Sequence, residues 1–241
     1  MKTATLAALL LLAAAPAQGA DRNFSVTSFD RIRVDGPYQV TLSTNVAPFA
    51  RASGAQAALD GVSIKVEGRT LVVRANPSAG WGGYPGEGRG PVTIELGTHE
   101  LSTAWINGPG ALIVDRVKGL SFDMAIQGAG TMRIDSADVD VLKIGMSGAA
   151  STRIAGRAAK LTAMVRGTSS LDAEALAIKD AVIGAEGPAM VRASVSGTAK
   201  VDALGLASVS LAGTPSCETK TQGSATVSGC RYTSASAASF P

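Results

Sequence analysis

From Ala104 to Ala193 the chain alternates apolar and polar residues with period two, and the alternation restarts around a recurring glycine. The anchor glycines are Gly108, Gly128, Gly148, Gly167 and Gly187, at intervals of 20, 20, 19 and 20 residues. Two positions before the anchor stand Ile106, Ile126, Met146, Val165 and Ala185; four before it stand Ala104, Met124, Ile144, Ala163 and Ile183. Four after it come Leu112, Met132, Thr152, Leu171 and Val191, and six after it Val114, Ile134, Ile154, Ala173 and Ala193. A period of two on both sides of a turn predicts two short strands per unit and rules out the 3.6-residue period of an amphipathic helix. Units of constant length that each bury their apolar face only against a neighbour predict a solenoid. The expected fold is all-β: a parallel β-helix, or β-solenoid, with coils of about 20 residues stacked about 4.8 Å apart and capping strands at its ends. A β-sandwich of hairpins is the competing arrangement. The matched columns and near-constant interval favour the solenoid.

Two further columns refine this. Two residues after the anchor only small side chains occur, namely Gly110, Gly130, Ala150, Ser169 and Ala189. That suits a corner where backbones lie close and a positive φ is accessible to glycine. Five after the anchor the column is Ile113, Arg133, Arg153, Asp172 and Arg192. This is an outward row in which Arg153 and Asp172 can pair across coils, for well under about 1 kcal/mol. Thr152 is a mismatch on the apolar side.

Before the repeats, "FDRIRVDGPYQVTLS" (Phe29 to Ser43) and "VSIKVEGRTLVVRAN" (Val62 to Asn76) each predict strand, turn and strand, forming opening coils or a cap. "SAGWGGYPGEGRG" (Ser78 to Gly90) is glycine-dense and predicts a loop. Its Trp81 and Tyr84 are candidate binding residues, an aromatic platform for a sugar ring or a partner surface; the plainer alternative folds them back on the solenoid flank. After Val195 the spacing changes, with "VSG" recurring ten residues after Gly187, as expected of a terminal unit.

Composition sets the boundaries. Residues 1–20 predict a secretory signal peptide, with Lys2, an apolar run from Ala4 to Ala15 and "APAQGA" for cleavage after Ala17, Gly19 or Ala20. The run is too short to span a bilayer, so the mature protein is not expected to be an integral membrane protein. The remaining domain spans residues 24–232, and residues 233–241 are expected to fray. The formal charge of +3 becomes +2 without Lys2 and shows no basic cluster, which excludes a nucleic-acid partner. Cys217 and Cys230 form an even pair, expected to be a structural disulfide in an exported protein.

The order of these motifs carries a family resemblance. "FDRIRVDGPYQVTLS", "VEGRTLVV", the "ING" of Ile106 to Gly108 with its successive Gly-small-Gly repeats, and "LAGTPSCETKTQGSATV" together resemble the bacterial family called putative auto-transporter adhesin, head GIN domain. The resemblance runs from about Phe24 to Tyr232 and implies an exported β-helical domain with an adhesin-like role. It implies no reaction and carries over no site. The later repeats depart from it in losing the second glycine, at Ala150, Ser169 and Ala189. These residues also contain no transporter barrel, so that part of the name is not expected to apply.

Chemistry is sparse. His99 is the sole histidine, which with two distant cysteines makes no zinc set and no credible Ser-His-Asp triad. "GPGALIVDR" lacks the helix that a dinucleotide fingerprint requires. One acidic pair is notable: seven after the anchor, Asp115 and Asp135 fall on adjacent coils, where two carboxylates can raise one another's pKa or bind a divalent cation. The sequence therefore predicts a non-catalytic envelope or cell-surface binding module, periplasmic or extracellular, without cofactor, whose partner is a glycan or a cell-surface protein. The alternatives are a polysaccharide-active enzyme using the acidic pair and a purely structural envelope protein.

Overall fold

The computed structural model describes residues 20–77 and 90–231. Four long strands form its centre: β9 (Ala111–Gly128), β10 (Thr131–Gly148), β11 (Ser151–Gly167) and β12 (Ser170–Glu186). They stack in parallel and in register, so that Met132 lies between Leu112 and Thr152, and Leu142 between Phe122 and Leu161. The protein is a β-solenoid of about six turns. Each coil is one continuous strand bent at a corner, where the register shifts between Ile134 and Ala137 and between Arg153 and Gly156. The two strands anticipated per unit are the arms of this bent strand. Every second residue of each arm points inward, and its side chain meets the same position of the coils above and below. This is why the columns of the sequence are columns of the core.

The small-residue column and the positive φ belong to different positions. Gly110, Gly130, Ala150, Ser169 and Ala189 are buried, and a Cβ at Gly130 would come within 2.7 Å of Ile106 Cγ2. The positive φ lies instead at the anchors, at +95°, +105°, +103°, +76° and +77° from Gly108 to Gly187. Each anchor sits on the one before it. At Gly148 a Cβ would stand 2.5 Å from the Gly128 carbonyl oxygen, so both conformation and space exclude a side chain.

The opening strands make a first coil and then cover it. β2 (Arg31–Asp35) and β3 (Gln39–Ser43) lie parallel to β8 (Thr103–Asn107) and β9 respectively. On their other side lie β6 (Thr70–Ala75) and β7 (Val92–Gly97). Beyond these the direction reverses: β5 (Val62–Glu67) pairs antiparallel with β6, β4 (Phe49–Gly54) with β7, and β1 (Ala20–Phe24) with β4. The short helix α1 (Gln56–Asp60) buries Ala58 and Leu59 between β4 and β5. The buried Asp30 ties this end together. It accepts from Arg69 Nη2 at 2.5 Å and Arg69 Nε at 3.0 Å, and from Ser102 Oγ at 2.9 Å.

At the other end the coil continues with a shorter period. β13 (Met190–Val195) and β14 (Thr198–Gly205) together replace one long strand. β15 (Ser208–Ala212) and β16 (Ser216–Gly223) follow, then β17 (Thr226–Ser228). The pairs Met190 with Ser208 and Thr198 with Ser216 set an 18-residue repeat, and the glycine ladder goes on through Gly205 and Gly223, both at positive φ. The change of spacing after Val195 thus marks a narrower coil. Gly197 lies at a different corner, over the Lys179 carbonyl.

Candidate binding face

The final arm of each coil, with β8 ahead of it and β14 and β16 behind it, forms one long sheet whose outward residues fall into three rows. The first row contains Asp123, Lys143 and Thr162. The second contains Trp105, Ala125, Gly145, Met164 and Gly184, and the third Asn107, Gln127, Ser147, Arg166 and Glu186. Outer rows of this kind are mostly knitted by cross-coil ion pairs. Arg166 holds Glu186 at 2.9 Å and Lys143 stands 3.6 Å from Asp123. On the opposite arm Arg153 and Arg192 converge on Asp172 at 3.7 and 3.5 Å, which includes the pair expected from the sequence.

The middle row differs. Trp105, half-buried on β8, borders a depression of about 250 Å³ whose lining includes Asp123, Ala125, Lys143, Gly145, Thr162 and Met164. The period-two alternation singles out Ala104 and Ile106, the inward residues on either side of Trp105, and not Trp105 itself. The available signal was an aromatic at a polar position of the alternation, followed in its column by Ala125 and Gly145.

The acidic pair occupies neighbouring coils as expected, flanked by the register pairs Val114 with Ile134 and Arg116 with Ser136. The two carboxylates are engaged separately. Asp115 Oδ1 accepts from Thr44 N at 2.9 Å, Thr44 Oγ1 at 3.2 Å and Arg116 N at 2.6 Å. It thereby fastens the end of β3 to β9. Asp135 pairs with Arg133 at 2.5 Å within its own coil. Among the described residues no three His, Cys, Asp or Glu side chains are grouped to hold a metal ion.

Two other carboxylates are held below the ordinary carboxylate range. Asp138 is lowered by the hydrogen bonds it accepts from Arg157, at 2.6 and 2.9 Å. Asp180 is lowered by the Thr198 hydroxyl at 2.6 Å and the Thr198 amide at 3.0 Å. Both remain anionic in neutral solution and act as fasteners between coils. Cys217 and Cys230 form a disulfide that joins β16 to the chain just after β17. Trp81 and Tyr84 lie outside the described residues. No helix among the described residues is long and apolar enough to cross a membrane.

Residues 28–215 match the family described as putative auto-transporter adhesin, head GIN domain. The chain belongs to that family. Solved structures agree on the fold of this head GIN domain. A putative adhesin from Bacteroides fragilis superposes with a TM-score of 0.78 at 14% identity, over 88% of this chain and 96% of its own. A putative adhesin from Parabacteroides merdae gives 0.69 at 14% identity, over 87% and 95%. A putative lipid binding protein from Parabacteroides distasonis gives 0.67 at 14% identity, over 87% and 96%. No curated protein sequence matches the chain.

Proposed function

We propose that this head GIN domain is a non-catalytic, exported binding module that recognises a glycan or a protein at a cell surface. The observation that carries this reading is the long outer sheet, on which two polar rows flank the row of Trp105, Ala125, Gly145, Met164 and Gly184. Its family and fold neighbours, named as adhesins and as a lipid-binding protein, support a role in surface attachment. Export rests on residues 1–20 acting as a signal peptide. Ala20 already pairs with Gly54 in β1, so cleavage after Ala17 or Gly19 leaves that strand whole. N-terminal sequencing of the protein recovered outside the cytoplasm tests this, and an intact Met1 there contradicts it.

The test of function is a glycan and cell-surface binding screen with the wild type and a Trp81→Ala/Tyr84→Ala variant. Binding by the wild type is expected, and failure to bind any surface or glycan contradicts the module reading. Loss of binding in the double variant assigns recognition to the segment Ser78–Gly90, whereas unchanged binding removes that segment from it. The same incubations are analysed for chain shortening. Cleavage of a polysaccharide that is lost in folded Asp135→Ala replaces the module with an enzyme.

A further inference from the structure

We infer that the depression beside Trp105 is a subsite for one neutral pyranose ring of a glycan, with the indole as its stacking wall; this rests on the binding-module reading and names the ligand class. The backbone does not require this space. Gly145 has no positive φ, and a Cβ there would meet only Ala125 Cβ at 3.9 Å and the Met124 carbonyl oxygen at 4.0 Å. Those are ordinary contacts, in contrast to the crowded anchors Gly128 and Gly148. A glycine inside a strand weakens it and often marks a close approach by another molecule. Here it leaves the outer surface empty where a larger side chain fits.

The neighbouring side chain is drawn away from that space. A Cβ on Gly184 would lie 2.6 Å from Met164 Cε and 2.8 Å from its Sδ. Met164 therefore lies over Gly184, one coil further along, in space that a side chain at 184 would contest. Trp105 and Met164 are separated by Ala125 and Gly145, so they mark the ends of a gap spanning three inter-strand steps, about 14 Å.

On the far side of Trp105, Asp35 accepts from Arg33 Nε at 2.9 Å and Asn107 Nδ2 at 2.6 Å, so those groups are committed. On the near side Lys143 Nζ stands 3.6 Å from Asp123 Oδ1, an ion pair too long to be a hydrogen bond. Asp123 Oδ1 is buried and has no hydrogen-bond partner, while the rest of this side chain is exposed. One acid, one base and the Thr162 hydroxyl thus border an aromatic face. The pair balances in charge, which disfavours an ionic ligand. It offers both acceptors and donors, which suits vicinal hydroxyls on a ring whose C–H face lies against indole. The volume is below that of sites enclosing a whole drug-sized ligand. It suits a single ring, with the remainder of the glycan running over the outer rows.

Calorimetric titration of the full chain with soluble neutral oligosaccharides of the cello, xylo and chito series tests the inference. Phosphatidylcholine vesicles serve as a separate arm. At least one oligosaccharide is expected to bind, with affinity reduced about tenfold or more in Trp105→Ala, as for an aromatic anchor. A similar loss is expected in Gly145→Val, which occupies the floor two inter-strand steps from Trp105. Circular dichroism establishes that both variants keep the fold. Binding to none of the series overturns the inference, as does undiminished binding in both folded variants. Vesicle binding that depends on Trp105, without oligosaccharide binding, overturns it in favour of a lipid. If the wild type attaches to cell surfaces and Trp105→Ala attaches equally well, the subsite is wrong and the module reading stands.

Discussion

The wide coils of β9 to β12 and the narrow coils of β13 to β17 follow the same backbone plan with different contents. In the wide coils the final arm buries Phe122, Leu142 and Leu161 in one column, which drops to Ala181 in the last wide coil and continues as Ala199 and Cys217. A second column runs from Ile126, Met146 and Val165 through Ala185 to Ala203 and Thr221. The final arm thus loses its large side chains in β12, one coil before the turn loses two residues. The anchor φ changes inside the wide coils: Gly108, Gly128 and Gly148 lie at +95° to +105°, whereas Gly167, which ends β11, and Gly187, Gly205 and Gly223 lie at +76° to +78°. The wide coils carry the Trp105 depression. The narrow coils end the stack with a largely exposed last turn pinned by a disulfide.

This contrast can be broken at several points. Phe122 is fully buried, and Phe122→Ala is expected to cost about 4 kcal/mol by denaturant unfolding. Val201→Ala in the narrow region is expected to cost about 2 kcal/mol. A cost for Val201→Ala as large as that for Phe122→Ala would contradict the smaller contribution expected of the narrow core. Gly148→Ala is expected to cost about 3 kcal/mol, because the Cβ faces both a closed φ and the Gly128 carbonyl. Gly187→Ala, where a Cβ would clear Gly167 by 3.6 Å, is expected to cost about half as much. Reversal of that order would show that crowding between coils does not govern the ladder. Reducing the disulfide, or Cys217→Ser/Cys230→Ser, is expected to cost about 2–3 kcal/mol. Hydrogen exchange should then rise in β16 and β17 and not in β9 to β11.

Thr152 gives a smaller effect of opposite sign. It is buried among apolar neighbours and its hydroxyl has no hydrogen-bond partner. Thr152→Val is expected to stabilise the wide coils by about 1 kcal/mol, and a loss of stability would mean that the hydroxyl is satisfied. The smallest effect is on pH. Asp138 and Asp180 have folded pKa values below the unfolded carboxylate value. Their contribution is present above the unfolded value and lost as pH falls through the folded one. Stability should decline modestly below about pH 4, and Arg157→Gln should flatten part of that decline.

The solenoid was legible because its core is columnar: Ile106, Ile126 and Met146 recur in sequence at the interval at which they stack in space. The charged row was legible for the same reason, including Arg153 beside Asp172. The opening strands were legible as strands but not as a partner set, since β2 lies between β6 and β8 through pairings of distant sequence. The 18-residue coils were obscured by "VSG" at Val195, which imitates the anchor phrase at another corner. Trp105 was obscured because its meaning depends on Gly145 being empty, and that depends on where Met164 lies. The engagement of Asp115 by Thr44 was equally hidden, because no repeat links those two positions.

The chain has two tryptophans, so Trp81→Phe leaves Trp105 as the sole indole reporter on the wide-coil face. Titrating that variant with the oligosaccharide that gives the largest calorimetric signal tests most directly whether recognition occurs there. The expected result is a blue shift or quench of Trp105 emission that saturates at the same ligand concentration as the heat. Heat that saturates while Trp105 emission stays unchanged would place recognition elsewhere on the molecule and contradict the account.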